Sequence, residues 1–393
     1  LANKVRITGA LLAIVFLFSG FGTWAFNTGA LALPPLAFML VVLVLACAAI
    51  LIDPLGSGTT RIKGWSVASA CLAMLAFLWS SGSEVAFQEA QTRILSALLL
   101  AGFSVLMAEE STGRVARCAI AVSTCLAVAL NVWEITHPMT FSRVLGRSAG
   151  FYMNPNIAGA ALVTGLLLAL PVVPTRGREA FVLVVGAGVF LTLSRGALLC
   201  FGVVLILLLG SGQLGARRTS ILAIGGLILL GSIKNTAISS GELTYLNGGA
   251  ERFVKQRLGI GSSAELEADV SASSRSQLVS RALDLFGERP LTGFGTGATV
   301  EWSESESTHN IYARYLAEYG VLGAVLMPIL LLLAWPRNDQ YSVPVYRSTG
   351  RAFVVFVALW GMFSHNVADD SFVLIGLALT TALPTRRRPE YDS

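Results

Sequence analysis

Apolar runs of about one membrane thickness recur along the whole chain, separated by short polar stretches. A hydrocarbon core about 30 Å thick takes roughly 20 apolar residues per helix. The runs therefore predict helical spans at Val5–Phe26, Leu31–Ile52, Gly64–Ser80, Ile94–Ala108 and Arg117–Ile135. A second group follows at Ile157–Val173, Ala180–Leu193, Ala197–Gly210 and Ile221–Ile233. A polar segment from Lys234 to Thr308 then interrupts the pattern, and Ile311–Trp335, Ala352–Phe363 and Phe372–Leu383 complete it. The expectation is an all-α polytopic membrane protein of about twelve spans. It divides into a nine-span part (1–233), an outer helical segment (234–310) and a three-span part with a basic tail (311–393). The first run follows Lys4 and Arg6, but its length and its continuation into a second apolar stretch predict a retained helix rather than a secretion signal.

Composition agrees. Of 393 residues, 54% are hydrophobic and only 13% charged, which excludes an ordinary soluble globule. The net charge of +5 is spread singly and in pairs between apolar runs, a pattern that does not point to nucleic acid. Cys47, Cys71, Cys118, Cys125 and Cys200 all fall in or beside apolar runs and suggest neither a cross-link nor a metal site.

Lysine and arginine resist translocation, so their loops mark the cytoplasmic side. Lys4/Arg6, Arg61/Lys63, Arg114/Arg117, Arg176/Arg178, Arg217/Arg218, Arg337/Arg347/Arg351 and Arg386–Arg388 occupy every second loop, which places both termini inside. The opposite, non-cytoplasmic face then carries the Ser81–Arg93 and Thr136–Asn156 loops, the Ser194–Gly196 turn, the long segment and the His365–Asp370 turn. His137, His309 and His365 and the remaining arginines share that face. Within the long segment, Ala250–Leu258 and Arg275–Phe286 have helical patterning. Ser274 with Gln277 suggests a capping box, and Leu278, Ala282, Leu285 and Phe286 form an apolar stripe. Arg289-Pro290 stops that helix, and Gly293–Gly297 predicts a flexible turn.

Several residues on this face could carry chemistry. Arg147, in Gly146-Arg147-Ser148-Ala149-Gly150, could grip phosphate oxygens with its fork or simply meet a lipid headgroup. Arg195 joins two apolar helices, where a charge is costly and usually functional; snorkelling is the plainer reading. Histidine titrates near neutrality, so His309 could take a proton from a sugar hydroxyl, although a boundary histidine can equally serve as a helix-end hydrogen bonder. Arg314 and Glu318, four residues apart, could pair. His365, Asn366, Asp369 and Asp370 lack the spacing of a specific metal site.

Taken in order, Arg147…Asn154-Pro155-Asn156, Ser194-Arg195-Gly196, Arg275…Arg289-Pro290-Leu291…Gly293-x-Gly295-x-Gly297 and His309-Asn310-x-Tyr312…Glu318-x-Gly320-x-x-Gly323 resemble the O-antigen ligase and polymerase family. The resemblance implies a GT-C-type glycosyltransferase of the bacterial inner membrane. Such an enzyme passes a glycan from undecaprenyl pyrophosphate to an acceptor hydroxyl on the periplasmic side, with inversion and without nucleotide cofactor or required metal. For a ligase the acceptor is lipid A–core oligosaccharide; for a polymerase it is another lipid-linked repeat. On this reading His309 is the general base. Arg147, Arg195 and Arg275 stabilise the departing pyrophosphate, and Asn156, Arg289, Asn310, Arg314 and Glu318 contribute to substrate binding. The ligase is favoured over the polymerase. A flippase or ion-coupled transporter fits less well, because the middles of the spans are nearly free of charge.

Overall fold

The computed structural model describes residues 1–54, 60–220, 262–301, 308–337 and 343–382, with the side chains of Thr60 and of residues 262–274 excepted. Every predicted span on these residues is helical; Ile221–Ile233 lies outside them, as do the predicted Ala250–Leu258 helix and Arg386–Arg388. The helices are α1 (Ala2–Leu12), α2 (Phe21–Asn27), α3 (Pro35–Ile52), α4 (Thr60–Phe77), α5 (Glu84–Leu106), α6 (Glu110–Thr136) and α7 (Pro155–Ala169). They continue as α8 (Arg178–Leu191), α9 (Arg195–Gly210), α10 (Ser262–Glu288), α11 (Ile311–Ala334), α12 (Pro344–Trp360) and α13 (Ser371–Thr381). Among the described residues there is no strand.

Five helices (α3, α5, α6, α11, and α7 with the short turn that extends it to Val172) are long and apolar enough to cross a membrane. The bent pair Ala2–Phe18 and Phe21–Asn27 makes a sixth candidate. The remaining predicted spans on the described residues are helices that are shorter or less apolar. The first span is broken because Gly20 takes φ +75° and the pieces bend by 54°.

Lipid exposure explains the apolar outer surface. Val44 is 66% exposed and Leu51 82% on α3, and Val67 and Leu78 project similarly from or just beyond α4. Such a surface would be unfavourable against water. The interior centres on α7, buried from Ala158 to Ala169. Small residues let the helices approach, as membrane bundles require. A Cβ at Gly165 would lie 2.1 Å from Thr124 Oγ1, and one at Gly188 2.7 Å from Val128.

Polar contacts among the described residues gather at two ends. At one end Arg6 bridges Asp53 (3.0 Å) and Glu109 (3.6 Å). Buried Arg117 donates there to the carbonyls of Leu168 (2.8 Å) and Leu379 (3.2 Å) and lies over the Tyr346 ring. At the other end meet the starts of α5 and α11 and the turn before α13.

α10 differs from the expected Arg275–Phe286 helix by starting at Ser262, so Ser274 lies inside it rather than at its cap. It packs onto the front of α11 by small residues, with Ala282 against Ala313 and Ala317 and with Val279 and Leu285 beside them. α11 is not continuous. Gly320 adopts φ +60°, ψ −142°, a conformation essentially confined to glycine, which frees carbonyls of the preceding turn. Those carbonyls are recaptured by the segment after α10. Phe294 N donates to Ala317 O and Gly295 N to Glu318 O, both at 2.9 Å, and Val321 N donates to Pro290 O at 2.8 Å. The Gly293–Gly297 turn, expected to be flexible, is thereby pinned. Its glycines carry φ of +67°, +93° and +88°, and a Cβ at Gly293 would lie 2.5 Å from the Glu318 carbonyl.

Candidate active site

Glu134, in the last turn of α6, organises the first part of the site. Its Oε1 accepts from the amides of Phe141 (3.0 Å) and Ser142, and its Oε2 from those of Ala149 (2.8 Å) and Gly150 (3.2 Å). One buried carboxylate thus folds the 141–150 loop back on itself. Ser148 adds a bond to the Asn131 carbonyl (2.9 Å). The loop delivers Arg147, whose Nε donates to Thr192 O and whose Nη2 donates to Asn156 Oδ1, both at 2.8 Å. Asn156 sits in the first turn of α7, where Asn154 caps the helix by accepting from Asn156 N at 2.9 Å. Arg147 and Asn156 are therefore brought together and tied to the α8–α9 turn.

That turn carries Arg195. Ser194 caps α9 by accepting from Ala197 N, and Arg195, the first helical residue, is exposed. Arg275 approaches it from α10. Partial burial, and then the positive charge of Arg195, lower the Arg275 pKa below the ordinary guanidinium value. Neither arginine forms an ion pair with a carboxylate among the described residues. Two cations held close in this way favour an anion between them. Arg289 is exposed at the end of α10, its guanidinium carbon 4.4 Å from the Phe294 ring centroid.

His309 stands at the entrance to α11 with φ +48°, a left-handed backbone uncommon for a residue other than glycine. Asn310 caps the helix, its Oδ1 accepting from Tyr312 N (3.0 Å) and Ala313 N (3.1 Å). The His309 ring meets His365 edge to face, with centroids 5.6 Å apart. Burial, followed by the nearby charges of Arg314, His309 and Arg93, pushes the His365 pKa down to about 3.

Beneath the two histidines lies a buried ionic cluster. Arg314 and Glu318 are paired as expected (Nε–Oε1, 3.0 Å), and both are fully buried. Arg314 also donates to Asn366 Oδ1 (3.1 Å) and to Glu89, while Thr299 Oγ1 donates to Glu318 at 2.8 Å. Arg93 pairs with Asp369 and lies over the Tyr315 ring. Arg314 and Glu318 therefore hold α5, α11 and the 365–370 turn in register beneath the surface groups. Burial and the neighbouring Asp369 charge raise Asp370 to about 8.

The two halves of this end adjoin. A Cβ at Gly196 would lie 3.1 Å from the Phe363 ring, two residues before His365, and Ile311 N donates to Gly361 O at 2.9 Å. Glu134 and Glu89 were not legible as site residues from the sequence, and Asp369 was weighed there only as a metal ligand. A lone acid near the end of an apolar run was the available signal for Glu134. Asp369, the partner of Arg93, and Glu89, one partner of Arg314, lie more than 200 residues from those arginines, so the pairings left no local signal.

Fold and site together define an all-helical, multi-pass membrane protein with imidazole and guanidinium groups gathered at one end. Over residues 180–327 the chain matches the family model described as O-antigen ligase, which supports the resemblance to the O-antigen ligase and polymerase family. The matched region contains Arg195, Arg275, Arg289, His309, Arg314 and Glu318; Arg147 and Asn156 precede it. No curated protein sequence matches the chain.

Proposed function

We propose that the protein is an O-antigen ligase that transfers a glycan from undecaprenyl pyrophosphate to lipid A–core oligosaccharide on the periplasmic face of the inner membrane. The reading extends the nine-, one- and three-part division of the chain to about twelve spans of GT-C type, with both termini cytoplasmic. The observation that carries it is the approach of Arg195 and Arg275 from separate elements without an acidic partner among the described residues.

In the proposed reaction the acceptor hydroxyl oxygen attacks the anomeric carbon from the face opposite the pyrophosphate. The bond from carbon to pyrophosphate oxygen breaks, its electron pair leaves with undecaprenyl pyrophosphate, and His309 takes the hydroxyl proton. Charge builds on the leaving oxygens, where Arg195 and Arg275 are fixed in advance and so stabilise the transition state more than the ground state. Arg147 supports this by holding Asn156 and the α8–α9 turn. Asn310, Arg314 and Glu318 hold the histidine's segment, and Arg289 borders the groove.

The purified protein, reconstituted with undecaprenyl-pyrophosphate-linked glycan, tests this. Glycan on added lipid A–core, resolved by mass, is the expected product. A ladder of longer lipid-linked glycans without lipid A–core would make the enzyme a polymerase. No new glycosidic bond in either mixture, with folded protein, would favour transport.

A further inference from the structure

We propose that His365 is a positioning residue for His309, the two rings forming one unit in which His365 orients the imidazole that receives the acceptor proton. This rests on the assignment of His309 as the base. The rings meet edge to face at 5.6 Å although they come from opposite ends of α11 and α12. His309 itself takes a left-handed backbone (φ +48°), so its ring direction is not set by ordinary helix geometry and depends on what surrounds it.

The two segments are clasped on both sides of the ring contact. Ile311 N donates to Gly361 O (2.9 Å), Tyr312 Oη donates to Ala358 O (2.8 Å), and Arg314 Nη1 donates to Asn366 Oδ1 (3.1 Å). Arg314 is in turn held by Glu318 and Glu89, so the turn bearing His365 has little freedom relative to His309. His365 is a poor proton acceptor. It is lowered to about 3 by burial and by the charges facing it: Arg314 on α11, His309 on the preceding loop and Arg93 on α5. A neutral imidazole fixed against the reacting one can hold its direction without competing for the proton.

The test is a double-mutant cycle on the reconstituted full chain, with undecaprenyl-pyrophosphate-linked glycan and lipid A–core as substrates. His365→Ala is expected to lower kcat by about tenfold or more, as loss of orientation does, with both KM values unchanged. In a His309→Ala background it should cost nothing further. His365→Gln, which keeps polar atoms near the ring, should recover part of kcat and serves if the alanine variant does not fold. Full activity in both His365 variants, or equal loss with and without His309, would overturn the inference and leave the ligase reading standing. Full activity in His309→Ala alone would remove the base assignment and the inference together.

Discussion

Changing Glu134 to glutamine replaces one carboxylate oxygen by an NH2 group in a pocket that contains only donors. The carboxylate accepts four backbone amides, two on each oxygen. Whichever way the amide turns, one pair of N–H groups keeps its acceptor and the other pair faces a donor. Each buried group left unmatched costs about 1–3 kcal/mol, so the pair loses about 2–6 kcal/mol. That is comparable to a large share of the ~5–15 kcal/mol that holds a typical domain folded. The loss should be taken up locally, because Glu134 staples the 141–150 loop and the α6 helix does not depend on it. Helix content by circular dichroism should stay constant, proteolysis within the loop should rise, and transfer should fall at least tenfold as Arg147 loses its fixed position. An E134Q variant with wild-type melting temperature, loop protection and activity would refute the reasoning.

Arg195→Ala should raise donor KM and lower kcat, and adding Arg275→Ala should cost less than the sum of the single losses, since both groups act on one anion; additive losses in steady-state kinetics would contradict a shared site. Gly320→Ala places a Cβ 2.6 Å from the Leu291 carbonyl at a conformation alanine avoids. It should destabilise the protein by several kcal/mol, about 1–3 of it from backbone strain alone, as measured by thermal unfolding in detergent. Arg93→Ala leaves Asp369 without its buried partner and should destabilise by about 3–5 kcal/mol, whereas Arg93→Lys should recover part of the melting temperature. Asp370, raised to about 8, binds its proton in the fold at pH values where the unfolded carboxyl has lost it. Its contribution is therefore fully present below the ordinary carboxylate pKa and is lost as pH rises through about 8. Asp370→Asn should raise the melting temperature at pH 8 and change it little at pH 4.

Helix positions were legible because lipid-facing and core-facing residues alike are apolar, so run length alone marks them. Ends were less so. The span expected at Ile94–Ala108 begins at Glu84, because its first turns carry Glu89 and Arg93. Hydropathy reads such residues as loop, while the fold buries Arg93 against Asp369 and uses Glu89 to pair Arg314. Arg6 meets Asp53 and Glu109, residues from three of the loops that charge alternation assigned to one side. The Arg314–Glu318 pair was readable from its four-residue spacing, whereas the convergence of Arg195 with Arg275 was implied only by the family resemblance. It depends on α10 lying against α11 through Ala282, a tertiary contact without a local pattern. The break at Gly320 was missed because the run Ile311–Trp335 is apolar on both sides of it, and only the Glu318-x-Gly320-x-x-Gly323 spacing hinted at a backbone requirement.

The central claim is tested most directly by supplying undecaprenyl-pyrophosphate-linked glycan and lipid A–core to reconstituted wild-type, His309→Ala and Arg195→Ala/Arg275→Ala proteins, with the products resolved by mass. The account predicts glycosylated lipid A–core from the wild type, a residual amount about 100-fold or more lower from His309→Ala, and a loss in the double arginine variant that added lipid-linked donor partly restores. Transfer at the wild-type rate by folded His309→Ala protein would contradict it.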